Sequence, residues 1–154
     1  MDETDARLRA LEDRAQIANL IAAYGPLADT GAGEALAQLW VEDGEYDIGG
    51  FGLVKGHAAL AAMMDSPVHR GLMEQGCAHI LSPHRIELSG DTAIAVGYST
   101  VMRRTGENYE AWRVSANRWW LVRSAAGWRV KRRENTPLDG SVETRSILEM
   151  PDVA

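Results

Sequence analysis

After Gly76 the chain carries strand signals almost without interruption, and this constrains the fold more than any other feature. "HILSPHRIEL" meets "TAIAVGYSTVMRR" across the turn residues Ser89, Gly90 and Asp91, and "YEAWRVSANRWWLVRSA" meets "GWRVKRREN" near Ala126 and Gly127. Before Gly76 helical periods dominate. Leu8, Leu11, Ile17, Leu20, Ile21 and Tyr24 recur mostly at three- and four-residue steps, which predicts an amphipathic helix from Thr4 to Tyr24 with one buried face. Gly25 and Pro26 interrupt it. Proline removes a donor and clashes with the preceding turn, so the chain is expected to kink or stop there, with Asp29 on a redirected segment. "GEALAQLW" reads as a short second helix, the stretch from His57 to Gly76 as one or two more, and Val142 to Glu149 as a last one. "GEYDIGGFGLVKG" reads as a glycine-rich hairpin. Helices followed by antiparallel strands predict an α+β fold, helices packed on a curved sheet. The expectation is a single domain over residues 1–154, with its core at about 5–139 and a tail at 140–154.

At 154 residues such a domain buries roughly two-thirds of the surface its unfolded chain exposes, enough for one core with an internal cavity. With 22 acidic against 16 basic residues the net charge is -6, which disfavours nucleic acid and anionic lipid and favours a small-molecule partner. Cys77 is alone and cannot form an internal disulfide. The charged N-terminus does not read as a signal peptide, and no apolar run approaches the ~18 residues of a membrane span, so a cytoplasmic protein without membrane attachment is expected.

His79 and His84 draw attention because both stand near the start of the long strand run. Five residues apart, they face opposite sides of a strand unless a bulge intervenes. His79 has apolar company in Cys77, Ile80 and Leu81, whereas His84, between Pro83 and Arg85, is expected to be exposed and is assigned no chemistry. A metal shared by the two is disfavoured, and no HExxH or CxxC motif supplies ligands elsewhere; no metal and no cofactor are expected. A histidine in an apolar site acts as a general base near neutral pH if a partner fixes its tautomer. Asp29, in "PLADTG", is a candidate partner; the alternative is a turn aspartate bonding to nearby amides. Tyr24 and Tyr46 read either as cavity hydroxyls or as core residues with one satisfied bond. "RVKRREN" puts Arg129, Lys131, Arg133 and Asn135 on one face, a solvated one unless an arginine turns inward, with Trp128, Val130 and Arg132 on the other. Trp112, Trp119, Trp120 and Trp128 read as core and subunit contact rather than a base-stacking platform.

"RAQIANLIAAYGPLADTGAGEALAQLWVEDGEYDIGGFGLVKGHAAL" followed by "AHILSPHRIELSGDTAIA" resembles the SnoaL-like, nuclear transport factor 2-like superfamily, in the branch that holds scytalone dehydratase and gamma-hexachlorocyclohexane dehydrochlorinase. The resemblance runs roughly from Arg14 to Asp139. It implies a cone-shaped α+β barrel, a curved antiparallel sheet wrapped by helices around a deep apolar cavity. In that branch an aspartate ending the first helix holds a histidine that opens a sheet strand and moves a proton; Asp29 and His79 fall on those positions. Arg133 resembles the dehydrochlorinase's arginine, and Tyr24 stands where that enzyme has a lysine. A neutral phenol serves departing chloride less well than an ammonium and donates better to a carbonyl or hydroxyl. Tyr46 sits in a place similar to a tyrosine of the dehydratase.

The resemblance therefore implies a cofactor-free lyase or isomerase acting on a small hydrophobic cyclic substrate, with dehydratase-like elimination favoured. His79 is the base, Asp29 its holder, and Tyr24, Tyr46 and Arg133 are donors to developing negative charge, inside a wall expected to include Leu20, Val96 and Met102. The alternatives are a non-catalytic ligand-binding or interaction module and a polyketide cyclase. Apolar surface left by an open sheet, together with the resemblance, implies a homodimer or homotrimer.

Overall fold

The computed structural model describes residues 2–151. Helix α1 spans Glu3–Asp29 and is capped by Asp2, whose carboxylate accepts from the Asp5 amide at 2.8 Å. The chain continues through α2 (Gly33–Ala37), β1 (Trp40–Ile48), β2 (Gly52–Lys55), α3 (His57–Ala62) and α4 (Pro67–Gln75). It then forms β3 (Cys77–Leu81), β4 (Arg85–Ser89), β5 (Thr92–Thr105), β6 (Asn108–Ser124), β7 (Gly127–Pro137) and α5 (Val142–Ser146). One sheet takes all the strands in the order β2-β1-β7-β6-β5, with β3 and β4 sharing the far edge of β5. Its pairings are antiparallel except for β1 beside β7, which is parallel. The sheet curves without closing, and α1 crosses it from β3 and β4 towards β7. This is the α+β cone expected above.

Helix α1 departs from expectation. It runs through Pro26 and ends at Asp29, so Asp29 is the last helical residue and not part of a redirected segment. Proline removes only one helical donor, and the tertiary contact at Gly25 holds the last turns in place. A Cβ on Gly25 would lie 2.2 Å from the His79 carbonyl oxygen, so the bare glycine lets α1 press against the β3 backbone. The Thr30 amide and hydroxyl then both return to the Pro26 carbonyl, at 3.1 and 2.8 Å. Farther up the helix, buried Asp13 accepts from Arg123 at 2.8 and 2.6 Å and from Trp128 at 3.0 Å, pinning α1 to the β6–β7 turn.

Two bulges set which strand residues face inward. Trp120 pairs Arg132 and Leu121 pairs Val130, leaving Lys131 as an extra residue in β7. The phase of β7 therefore changes: Trp128 and Val130 are buried, and so are Arg133 and Asn135. The expected solvated face of Arg129, Lys131, Arg133 and Asn135 does not exist, because one inserted residue moves the last two to the interior. In β6, Val101 pairs Arg113 and Met102 pairs Ala111, which leaves Trp112 between them. Of the tryptophans, Trp119 and Trp128 lie in the core with Trp40.

Gly25→Ala is expected to cost at least about 2 kcal/mol in urea unfolding, because the methyl group must displace strand backbone rather than a side chain. Gly71→Ala in α4, where a Cβ meets nothing within 4 Å, is expected to be neutral or stabilising by about 0.5–1 kcal/mol. Equal midpoints for the two variants would contradict the close approach at Gly25.

Candidate active site

The end of α1 delivers Asp29 to the start of β3. Asp29 Oδ1 lies 2.7 Å from His79 Nδ1, and the two carboxylate oxygens accept from the His79 amide at 3.2 and 3.0 Å. The Cys77 thiol donates to the same Oδ1 at 3.5 Å. Burial works against ionisation of Asp29, yet the His79 ring and amide, with Cys77, hold its carboxyl below the usual range. Burial and the neighbouring Asp29 push the Cys77 thiol up to about 11, so it stays a donor. A ring Nδ1 facing a carboxylate carries the proton, which leaves Nε2 of His79 as the free base.

His79 borders a cavity of about 310 Å³. Ile48, Val54, Met63, Leu72, Leu81 and Val101 form much of its wall. Leu20, Val96 and Met102, expected there, do not line it. Leu20 packs in the core with Ile17 and Ile21. On β5 the inward phase runs through Ser99 and Val101, so Val96 and Met102 belong to the other face.

Tyr24, Tyr46 and Arg133 all border the cavity, as nominated from sequence. The Arg133 guanidinium lies 4.2 Å from the Tyr24 ring centre, 4.5 Å from Tyr46 and 4.1 Å from Trp119. At 1% exposure this cation is a core residue held by three aromatic faces. Burial pushes the Tyr46 phenol pKa far up, so Tyr46 is a neutral donor throughout the working pH range.

The site also contains residues that sequence reasoning passed over or did not assign. Asn117 Oδ1 accepts from Arg133 Nε at 3.0 Å, from Arg133 Nη2 at 2.7 Å and from Asn135 Nδ2 at 2.9 Å. Ser99 Oγ accepts from Asn117 at 2.8 Å and from Asn135 at 3.2 Å. Asn135 Oδ1 accepts from Arg113 Nε and Nη2 at 3.1 and 2.9 Å, and Arg113 Nη2 also reaches the Gly49 carbonyl at 2.7 Å. Arg113 and Asn117 share the inward phase of β6 with Trp119, and that spacing was the available signal. His69 on α4 is buried beside Leu72, three residues on, and its Nε2 donates to the Ala28 carbonyl at 2.7 Å. Its ring centre stands 5.5 Å from that of His79, and burial lowers its pKa, so the second histidine of the cavity stays neutral.

The profile of the SnoaL-like domain matches residues 9–134. The chain belongs to the SnoaL-like domain family. A crystal structure of an NTF2-like protein with a cystatin-like fold from Novosphingobium aromaticivorans is 54% identical, covers 97% of this chain and 98% of its own, and superposes with a TM-score of 0.93. A form of Rv3472, a protein of unknown function from Mycobacterium tuberculosis, is 24% identical over 100% of this chain and 85% of its own, with a TM-score of 0.74. ActVI-ORFA from Streptomyces coelicolor is 19% identical over 80% of this chain and 95% of its own, with a TM-score of 0.69. No curated protein matches the sequence.

In this SnoaL-like chain His84 is not the exposed residue expected. The irregular stretch Ser82–His84 between β3 and β4 resets the strand phase, and the His84 ring lies over Gly97, where a Cβ would come within 2.8 Å of it. Its Nδ1 faces the Ser82 carbonyl at 2.7 Å and its Nε2 accepts from Trp119 at 3.1 Å, so it is a half-buried support for the tryptophan that stacks on Arg133. Asp29, Cys77 and His79 place ligand atoms within 4.8 Å of one another, a spacing open to a metal ion. The His79 ring and the Cys77 thiol both donate to one Asp29 oxygen, so the trio satisfies itself by hydrogen bonds. No described helix is long and apolar enough to cross a membrane.

Burial lowers the His84 pKa to about 4. An unfolded histidine takes up its proton near pH 6.5 while the folded one stays neutral until pH falls to about 4, so stability is lost across that interval as pH falls. Urea midpoints from pH 7 to 4 are expected to fall more steeply in the wild type than in His84→Asn, by on the order of 3 kcal/mol. Parallel curves would contradict a neutral His84 packed between Gly97 and Trp119.

Proposed function

We propose that the protein is a cofactor-free lyase or isomerase in which His79 removes a proton from a small hydrophobic cyclic substrate, with elimination of water the favoured outcome. The observation that carries this reading is the 2.7 Å bond from His79 Nδ1 to Asp29 at the wall of the cavity. Asp29 fixes the tautomer and stabilises the imidazolium once Nε2 has taken the proton. Arg133 and Tyr46 from the sheet and Tyr24 from α1 border the cavity as cation and phenols for the negative charge that develops on a carbonyl or hydroxyl oxygen. Loss of a neighbouring hydroxyl as water completes an elimination, and return of the proton to a different carbon completes an isomerisation. SnoaL-like membership supports an isomerase- or cyclase-like scaffold of this kind.

A non-catalytic binding module is less well supported. It predicts a blocked cavity or a separated Asp29 and His79, and neither description fits 310 Å³ and 2.7 Å. The reading includes a homodimer or homotrimer, since Ile80, Tyr98 and Val114 expose apolar surface on the outer face of neighbouring strands β3, β5 and β6.

Incubation with cyclic ketones and their hydroxylated analogues in deuterium oxide is expected to exchange the hydrogen beside the carbonyl, or to release alkene. His79→Gln and Asp29→Asn should each slow this by about a thousandfold. Nuclear magnetic resonance follows both products, and turnover unchanged in His79→Gln removes the mechanism. Sedimentation velocity should give two or three times the mass of the chain, and Tyr98→Lys should lower it; a wild-type monomer contradicts the assembly.

A further inference from the structure

The polar end of the cavity has an excess of donors and an uncompensated positive charge. Arg113 and Arg133 both border the space, and both spend Nε and Nη2 on neutral acceptors, the side-chain oxygens of Asn135 and Asn117 and the carbonyl of Gly49. Neither makes an ion pair among the described residues. The contrast with Arg123 and Arg132 is direct: these are matched by Asp13 and Asp91, and by Glu45, Asp47 and Glu134. Nη1 of Arg133 is buried without any partner, on a side chain that is 1% exposed. Nη1 of Arg113 bonds no described group either.

Buried charge is ordinarily paired, and breaking such a pair is costly because it leaves the remaining charge uncompensated. No resident group is free to supply the anion. Asp29 is engaged by His79 and Cys77, the Tyr46 phenol stays neutral, and Ser99 already accepts from both asparagines. A ligand acceptor is what this end of the cavity lacks. The rest of the wall, Ile48, Val54, Leu72 and Val101 among others, fits a flat or cyclic hydrocarbon body.

We propose that the cavity takes a carboxylate-bearing, ring-containing ligand, with the carboxylate on Nη1 of Arg113, the unpaired charge of Arg133 behind it, and the ring against the apolar wall towards His79. As a statement about substrate this rests on the catalytic reading of the cavity; as a statement about binding it stands apart from it. A carboxylate matches an unpaired guanidinium better than a hydroxyl or an amide does, because charge-assisted bonds to arginine are about twice as strong as neutral ones.

Isothermal titration with 2-naphthoate and 2-naphthamide tests it, the two probes having nearly the same shape. The wild type is expected to prefer the carboxylate by at least about tenfold, and the preference should weaken as salt is raised. Arg113→Gln, at the half-buried arginine, should lower carboxylate affinity about tenfold and leave the amide within about twofold. Arg113→Lys, which keeps the charge and loses the fork, should fall between. Equal affinity for the two probes, a carboxylate preference untouched by Arg113→Gln, or no binding of naphthoate at about 1 mM overturns the proposal. The wild-type comparison stands even if a variant fails to fold. The titration reads binding alone, so absence of turnover on any substrate bears on the reaction proposed for His79 and not on this site.

Discussion

The contact between Gly25 and the β3 backbone is the constraint on which the rest of the site depends. With no side chain at Gly25, the last turns of α1 lie directly on the His79 carbonyl. Asp29 follows four residues later on the same face of the helix, one turn on, and so arrives at the amide and ring of the very residue that Gly25 touches. Packing of helix on strand and construction of the Asp29–His79 pair are therefore one event. The carboxylate has two tasks, since it accepts from the His79 amide as well as from the ring. The backbone bond holds the carboxylate in register with the strand, and the ring bond selects the tautomer.

The sheet supplies the opposite side of the cavity through a different device. Ser99, Asn117 and Asn135 come from β5, β6 and β7 and form a buried ladder from which Arg113 and Arg133 extend. A guanidinium buried this deeply needs help, and Arg133 receives it from three aromatic faces within 4.5 Å as well as from Asn117. Such contacts hold the position of a cation without neutralising its charge. A carboxylate in the place of Asn117 would hold Arg133 just as well and cancel the charge that a ligand could use.

The strand pairs and their turns were legible because alternation and turn residues are local signals: Ser89 to Asp91 and Ala126 to Gly127 close the hairpins where the sequence puts them. What escaped depends on contacts between distant segments. Pro26 reads as a break, but the force that keeps α1 helical beyond it comes from β3. The single extra residue at Lys131 turns a nominally solvated arginine inward, and no local pattern in "RVKRREN" marks that insertion. His84 was misread for a related reason, because strict alternation was carried across an irregular stretch. The pairing of Asp29 with His79 spans fifty residues; spacing nominated each residue separately, and the family resemblance joined them. His69 carried only a weak signal, its helical spacing from Leu72.

His69 also bears on why the proposed reaction uses one base although the cavity holds two imidazoles. Its Nε2 is committed to the Ala28 carbonyl, and burial without a carboxylate partner favours the neutral ring. A charged His69 only 5.5 Å away would oppose formation of the His79 imidazolium. A neutral one adds packing and leaves the proton to the histidine that Asp29 holds. The difference between the two rings lies in their partners, a carboxylate for one and a peptide carbonyl for the other, and both partners come from adjacent residues at the end of α1. In the proposed reaction the same helix terminus thus assigns the proton-accepting role to one histidine and withholds it from its neighbour.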